Sequence, residues 1–376
     1  MMPAPKRSLP TSQSISKSRR PAKSAGTGDL SRKAPAHGSI SGSRRGRPYA
    51  RIPGSLQSFM GHSSQPPVGV TAIEYVLGAE TVSVGELENR GLLETPAGRL
   101  QEFGFHCVHL SQEPAHELGL RAARKLLEAA SVDPESVDAI FYVGATPHGH
   151  AISIDDPRSA FNYPVAHLQY ELELTRAITA GISQLGCAGL MTAVSMARNF
   201  LIANESATRV LCVSSDVFPA GSRREMIYNV ISDGACALLV EKGAEKNRIL
   251  DYRQVTKGYY WDLTTKENEI AAAYFPTARA IIQDTLRDCG IDWSSVGLIL
   301  PHNVSLRSWE ILLGLIGAPA EKLFAANIAR FGHAIAADNF INLRDAEGSG
   351  RVQPSDKLLL FTFGFGANWA CMLLEH

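Results

Sequence analysis

Val132-Asp133-Pro134-Glu135-Ser136-Val137-Asp138-Ala139-Ile140-Phe141-Tyr142-Val143 joins the end of one element to the whole of the next. Upstream, residues 116–130 carry apolar side chains at helical spacing, Val132-Asp133-Pro134 breaks that pattern, and Val137–Val143 is a short β-rich apolar run. Helix, turn and buried strand in that order are the signature of an α/β architecture with a mostly parallel sheet. The same order returns later, where a helix over 277–289 leads through Ile291-Asp292-Trp293 into Val296-Gly297-Leu298-Ile299-Leu300. At a constant offset of 159, Asp133 matches Asp292, Ser136 matches Ser295, Val137 matches Val296 and Ile140 matches Ile299. Asp233-Gly-Ala-Cys-Ala-Leu-Leu-Val240 likewise resembles Asn368-Trp-Ala-Cys-Met-Leu-Leu-Glu375, and each is preceded by a strand-like run, Arg209–Val213 and Lys357–Phe361. The chain reads as internally duplicated. Residues 66–243 form one expected half and 244–376 the other, sharing an apolar helical layer, so that equivalent strand ends converge on one pocket.

Composition bounds the function. With 376 residues, 45% hydrophobic and 20% charged, the chain is globular in character. Its 37 basic and 37 acidic side chains balance, but unevenly. Residues 1–65 hold 12 Lys/Arg and one acid, Asp29, leaving 25 basic against 36 acidic groups, a formal −11, for the rest. An acidic body repels phosphate backbones, so no nucleic-acid partner is expected. The tail, rich in Ser, Pro, Gly and Arg, has too few apolar residues to offset its ordering entropy. A translation start at Met60, a disordered basic tail and a targeting segment are the open readings for it. Six scattered cysteines without a CxxC pair read as reduced thiols of a cytoplasmic protein. Ala177–Ala197 runs 21 residues without a charge, yet its three glycines and its Ser, Thr and Gln suit a buried segment and not a membrane span.

That segment contains Ile182-Ser-Gln-Leu-Gly-Cys187-Ala-Gly189, a cysteine between a strand-like run and a helix apolar nearly all round. A thiol in the first turn of a buried helix sits at the positive end of the macrodipole, which favours thiolate and nucleophilic chemistry. In the second half, Leu300-Pro301-His302-Asn303 puts an imidazole at a strand end, and Phe331-Gly332-His333 opens another small-residue helix. His106-Cys107-x-His109 and His148-x-His150 lack the spacing of known zinc sites, so no metal is expected. Gly364-Phe-Gly-Ala-Asn-Trp369 lacks the third glycine of a dinucleotide fingerprint. Cys212, Cys236 and Cys371 lie in strand-like runs as small buried hydrophobes.

Taken together, Gly186-Cys187-Ala188-Gly189, the strand ending in His302, the Gly332-His333 turn, Ser232-Asp-Gly-Ala-Cys-Ala-Leu-Leu-Val-Glu241 and Phe363-Gly-Phe-Gly-Ala-Asn-Trp369 resemble the β-ketoacyl-[acyl-carrier-protein] synthase III family of the thiolase-like superfamily, over about residues 68–376. The resemblance implies a thiolase-like fold of two α/β halves in an αβαβα layering. It implies a homodimeric enzyme that takes an acyl group on Cys187 and condenses it with a malonyl-type thioester, with loss of CO₂, to a β-ketoacyl thioester. His302 and His333 would then be two neutral N–H donors for the enolate, although the family usually has Asn at the position of His333. Backbone N–H groups of Cys187 and of the Gly364–Gly366 turn would hold the acylation oxyanion. Arg307 and Ser305 correspond to carrier and pantetheine contacts, and Phe161 and Tyr163 to acyl-pocket lining. Acyl-CoA and acyl carrier protein are the implied partners, and no cofactor is implied. Acyl transfer to an alcohol, amine or carrier without decarboxylation is the alternative, and an inactive partner subunit is the third reading. A thiolase would need a second cysteine before the glycine turn, whereas Cys371 follows it. On this reading Cys187→Ala abolishes acylation, while His333→Ala leaves acylation largely intact and depresses condensation.

Overall fold

A strand buried on both faces reads as a continuous apolar run, and Val210–Val213 within the strand Arg209–Asp216 shows how this chain uses one. Val210 and Cys212 pack in one apolar cluster with Leu190, Met191 and Val194. Leu211 and Val213 point the other way, into a cluster with Leu126 and Leu168. In Lys357–Gly364, Leu358 and Leu360 join the first cluster, and Leu359 and Phe361 join a third with Ile282, Trp309 and Leu312. Three clusters separated by two sheet layers give helix, sheet, helix, sheet, helix. This is the thiolase-like layering.

The computed structural model describes residues 66–145, 155–227 and 229–376. The basic tail and the His148-x-His150 segment lie outside them. In chain order the strands are Val68–Leu77 (β1), Glu80–Ser83 (β2), Cys107–Leu110 (β3), Ala139–Val143 (β4), Ile178–Ile182 (β5), Arg209–Asp216 (β6), Glu225–Met226 (β7), Asn229–Val230 (β8), Gly234–Lys242 (β9), Arg248–Thr256 (β10), Val296–Pro301 (β11), Lys357–Gly364 (β12) and Asn368–Glu375 (β13). The α-helices are Val84–Asn89 (α1), Ala97–Glu102 (α2), Ala115–Ala129 (α3), Pro164–Glu171 (α4), Gly189–Ala203 (α5), Leu263–Asp288 (α6), Leu306–Ile316 (α7), Ala326–Phe331 (α8) and Asp338–Gly348 (α9). Helices α5 and α9 fill the central layer, α3 and α4 cover one outer face, and α6 and α7 the other.

Among the described residues the two sheet layers are continuous through a single β1–β10 pairing, Gly69 with Arg248, which puts nine strands in the order β11-β12-β13-β10-β1-β9-β6-β4-β5. Outward from the antiparallel β1–β10 contact, each side runs through two antiparallel pairs and then turns parallel, at β6–β4 and β4–β5 on one side and at β12–β11 on the other. Antiparallel pairings therefore outnumber parallel ones, a correction to the mostly parallel sheet expected. The reason is local: β12 turns into β13 through the three residues 365–367, too few for the crossover a parallel neighbour needs. A second correction concerns α6, which starts at Leu263 and not after Pro276. Asp262 caps it, accepting from the N–H groups of Thr264 and Thr265 at 3.1 and 3.3 Å. Pro276 is exposed, as is Ala272 four residues earlier, so the carbonyl deprived of its donor faces water.

The apolar segment Gly186–Ala203 is long and apolar enough to cross a bilayer. Leu190, Met191, Ala193, Val194, Ala197 and Leu201 are nevertheless buried in the central layer of the fold.

Behind the site, Asp233 accepts from the backbone N–H groups of Ser111 and Phe218 at 2.8 and 2.9 Å and pairs with buried Arg224 at 2.5 Å. Removing one partner leaves an uncompensated buried charge. Asp233→Ala is expected to cost about 3–5 kcal/mol, read as a lower urea midpoint at unchanged slope.

Candidate active site

The chain reaches Cys187 through an abrupt turn. Beyond β5, Gln184 and Gly186 take positive φ of 66° and 53°, and Gly186–Ala188 forms one turn of 3₁₀ helix that runs into α5. The sulfur is thereby placed at the N-terminal end of the central helix, and 8% of the residue's surface remains accessible. Thr362 donates to the Cys187 carbonyl at 3.3 Å, which ties the turn to the end of β12. Gly364 closes against it: a Cβ there would lie 2.0 Å from the Leu185 carbonyl oxygen and 2.8 Å from the Cys187 nitrogen. Gly364→Ala is therefore expected to displace the Cys187 amide and slow acylation about 10²-fold, measured by intact mass against time.

His333 is delivered by Gly332, whose φ of +62° ends α8. A Cβ on Gly332 would meet the Val230 carbonyl oxygen at 2.5 Å. The His333 backbone is locked on both sides, its N–H donating to the Val230 carbonyl at 2.8 Å and its carbonyl accepting from Ser232 N–H at 3.0 Å. Its ring spans two partners. Nε2 lies 3.2 Å from Cys187 Sγ, and Nδ1 lies 2.5 Å from Asp338 Oδ2. Asp338 is fixed in turn by Asn303 N–H at 2.6 Å and Ala334 N–H at 2.7 Å. Burial works against a charged imidazole here, but Asp338 and then Cys187 overcome it and raise His333 well above the ordinary histidine range. Nucleophile, imidazole and carboxylate thus form a buried triad in which the carboxylate favours the protonated imidazole.

His302 is built differently. It follows β11, its N–H donates to the Phe361 carbonyl at 3.2 Å, and its own carbonyl accepts from Trp309 Nε1 at 3.0 Å. Phe363 N–H donates to His302 Nδ1 at 3.2 Å, so Nδ1 is the acceptor and the ring proton resides on Nε2. That Nε2 is buried without a hydrogen-bond partner among the described residues. Burial, and then the charge of His333 6.2 Å away between ring centres, lower His302 to about 3. The two imidazoles thus sit in different surroundings: burial favours neutral His302 with its proton on Nε2, whereas the Asp338 carboxylate favours the protonated form of His333.

A net of buried amides sets these loops. Asn339 Nδ2 donates to the Leu300 and Phe361 carbonyls, Asn342 Nδ2 to the Pro301 carbonyl and to Asn303 Oδ1, and Asn303 Nδ2 to the Gly332 carbonyl, at 2.8–3.0 Å. The sequence offered a signal for Asp338, Asn339 and Asn342, since polar residues interleaved with the apolar positions of one helix need partners inside. It offered none for the Phe363 N–H contact.

The peripheral residues lie apart from this group. Ser305 is buried and caps α7, accepting from Ser308 N–H at 3.2 Å. Arg307 is exposed and pairs with Glu310 at 2.8 Å. Phe161 and Tyr163 stack edge to face at 6.3 Å on the surface, 67% and 56% exposed. Gly366, φ +109°, lies in the turn after β12.

Metal-ligating side chains come together elsewhere. His116, Glu117 and His167 hold their ligand atoms within 4.8 Å of one another, at the junction of α3 and α4. His109 Nδ1 instead contacts the Gly78 carbonyl at 3.1 Å, and Cys107 Sγ donates to the Arg330 carbonyl at 2.9 Å, so these two serve local structure. Cys212, Cys236 and Cys371 are buried, and burial pushes their thiols up, Cys371 to about 12.

Two sequence profiles match the chain. The profile described as 3-oxoacyl-[acyl-carrier-protein (ACP)] synthase III matches residues 183–258, and its C-terminal counterpart matches residues 286–376. Those stretches contain Cys187, His302, His333, Asp338 and Gly364. The chain belongs to the 3-oxoacyl-[acyl-carrier-protein] synthase III family. This makes it an acyl-transferring enzyme. The beta-ketoacyl-[acyl-carrier-protein] synthase III of Aquifex aeolicus (strain VF5) is 25% identical over 276 residues, 70% of this chain and 85% of that protein. The crystal structure of the 3-oxoacyl-[acyl-carrier-protein] synthase III of Aquifex aeolicus VF5 superposes with a TM-score of 0.71 at 22% identity, over 82% of this chain and 100% of that one. ChlB3, described as an acyltransferase, gives 0.72 at 20% identity over 82% and 98%. Cerulenin-bound OleA of Xanthomonas campestris gives 0.69 at 15% over 82% and 99%. At these identities the structural likeness speaks for the fold.

Proposed function

We propose that this synthase III family member takes an acyl group from a thioester onto Cys187 and condenses it decarboxylatively with a malonyl-type thioester. The acyl donor would be an acyl-CoA or an acyl carrier protein, and the product a β-ketoacyl thioester. In the first half, Cys187 Sγ attacks the thioester carbonyl. The oxyanion is received by backbone N–H groups of Cys187 and the Gly364–Gly366 turn. Collapse breaks the carbon–sulfur bond to the leaving thiolate, which takes the proton from His333, and Asp338 steadies the ring throughout. In the second half the extender's carbon–carboxylate bond breaks and CO₂ leaves. The bonding pair forms an enolate whose oxygen accepts from His302 Nε2–H. The enolate carbon attacks the acyl carbonyl, the Cys187 thiolate departs, and a solvent proton restores His333. No metal, redox group or prosthetic cofactor enters these steps.

The observation that carries this reading is the tautomer of His302. Phe363 N–H on Nδ1 leaves a neutral, buried, unpartnered Nε2–H donor beside the Cys187–His333 pair. A preorganised donor in a dry site stabilises developing enolate charge more than water does.

A second reading has its own observation. The His333–Asp338 couple is a base once Cys187 is acylated, and a base serves transfer to an alcohol or amine without CO₂. Incubating acylated enzyme with carboxyl-labelled malonyl thioester separates the two: labelled CO₂ together with a β-ketoacyl product supports condensation. Acyl transfer to an alcohol or amine without labelled CO₂ supports the second.

A homodimer and cytoplasmic location are proposals as well, the former supported by exposed Phe161, Tyr163, Tyr170 and Ile178.

A further inference from the structure

Tyr274 lies on α6, outside every motif that marks the family resemblance. Its ring is wedged edge-on among aromatic neighbours, 5.0 Å from Phe275, 5.5 Å from Phe363 and 6.5 Å from His302 between ring centres. The hydroxyl is closed off from solvent and has no hydrogen-bond partner among the described residues, the same condition as His302 Nε2. Buried tyrosine hydroxyls ordinarily find a partner, so two orphaned donors on rings 6.5 Å apart, one of them beside the Cys187–His333 pair, call for an acceptor that arrives with the substrate.

We infer that Tyr274 is a catalytic residue of the second half-reaction, its O–H joining His302 Nε2–H as a donor to the carbonyl oxygen of the incoming extender thioester. This rests on the decarboxylative reading. When the carbon–carboxylate bond breaks, the electron pair passes into the enolate and its oxygen carries the charge between two neutral donors. Returning that pair to the acyl carbon discharges it. Tyr274 transfers no proton. Burial, and then the charge of Cys187, push its phenol up, so it stays protonated at working pH.

Tyr274→Phe removes the O–H and keeps the ring. In the full-length protein, Cys187 acylation followed by intact mass is expected to stay within two-fold of wild type. The kcat for CO₂ release from malonyl-CoA is expected to fall about 30- to 100-fold, with KM changed less than three-fold. Binding supplies a second readout. Wild type is expected to prefer a ketone analogue of malonyl-CoA, with sulfur replaced by CH₂, over a thioether lacking the carbonyl. The variant is expected to lose about ten-fold of that preference. Unchanged kcat, or equal loss of acylation and condensation in a folded variant, overturns the assignment. If wild type releases no CO₂ the decarboxylative reading fails, and the analogue comparison still judges Tyr274: a preference kept by Tyr274→Phe excludes it as the donor.

Discussion

Asp338→Asn is expected to slow acylation of Cys187 by about 10³- to 10⁴-fold while leaving the fold in place. The carboxylate does three things at once: it holds His333 Nδ1 at 2.5 Å, anchors Ala334 N–H and Asn303 N–H, and favours the charged form of the imidazole. An amide of the same shape can keep one of the backbone contacts but supplies no counter-charge. It can also present its NH₂ to Nδ1, which forces the ring proton toward Nε2 and alters the contact with Sγ. Time-resolved intact-mass measurement of acyl transfer and the rate of iodoacetamide labelling of Cys187 should fall together. Wild-type rates in Asp338→Asn would remove His333 and Asp338 from the first half-reaction. The expectation that His333→Ala leaves acylation largely intact changes accordingly, since His333 lies 3.2 Å from the sulfur and is expected to matter in both halves.

His302→Ala is expected to show the opposite split. Acylation should persist within a few-fold, and decarboxylation of a malonyl thioester should drop by about 10²–10³. The pH behaviour follows from its tautomer. With His302 lowered to about 3, the donor stays neutral from pH 5 to 8, so no acid limb of the condensation profile is expected from it. Stability carries the matching sign. The unfolded imidazole takes up a proton below about 6.5 while the folded one does not, so stability is lost as pH falls from about 6.5 toward 3. His302→Gln should flatten that slope, seen by comparing urea midpoints at pH 4.5 and 7. His333 contributes in the reverse direction, its stability present below about 6.5 and lost as pH rises through its raised folded value.

Much of this was legible in the chain. The α/β class followed from apolar runs alternating with helical stretches, and the cysteine turn from small residues before an apolar helix. What a linear pattern lacks is pairing partners. Strand direction in β12–β13 depends on a three-residue connection that looks like a glycine-rich loop in the sequence. The start of α6 was hidden because Pro276 reads as a boundary, and only its exposure shows why the helix tolerates it. The charge states of His302 and His333 depend on Phe363 N–H and on Asp338, contacts that exist only once β12 and α9 are packed. Tyr274 carried no sequence signal, since its role depends on which wall its hydroxyl faces.

The most direct test is peptide-resolved mass spectrometry after incubating wild type and Cys187→Ala with a panel of acyl-CoA thioesters. One acyl mass on the peptide containing Cys187 in wild type, and none in Cys187→Ala, is the expected result. Acyl mass on a different residue, or equal labelling of both proteins, would contradict the assignment of Cys187 as the group that accepts the acyl chain.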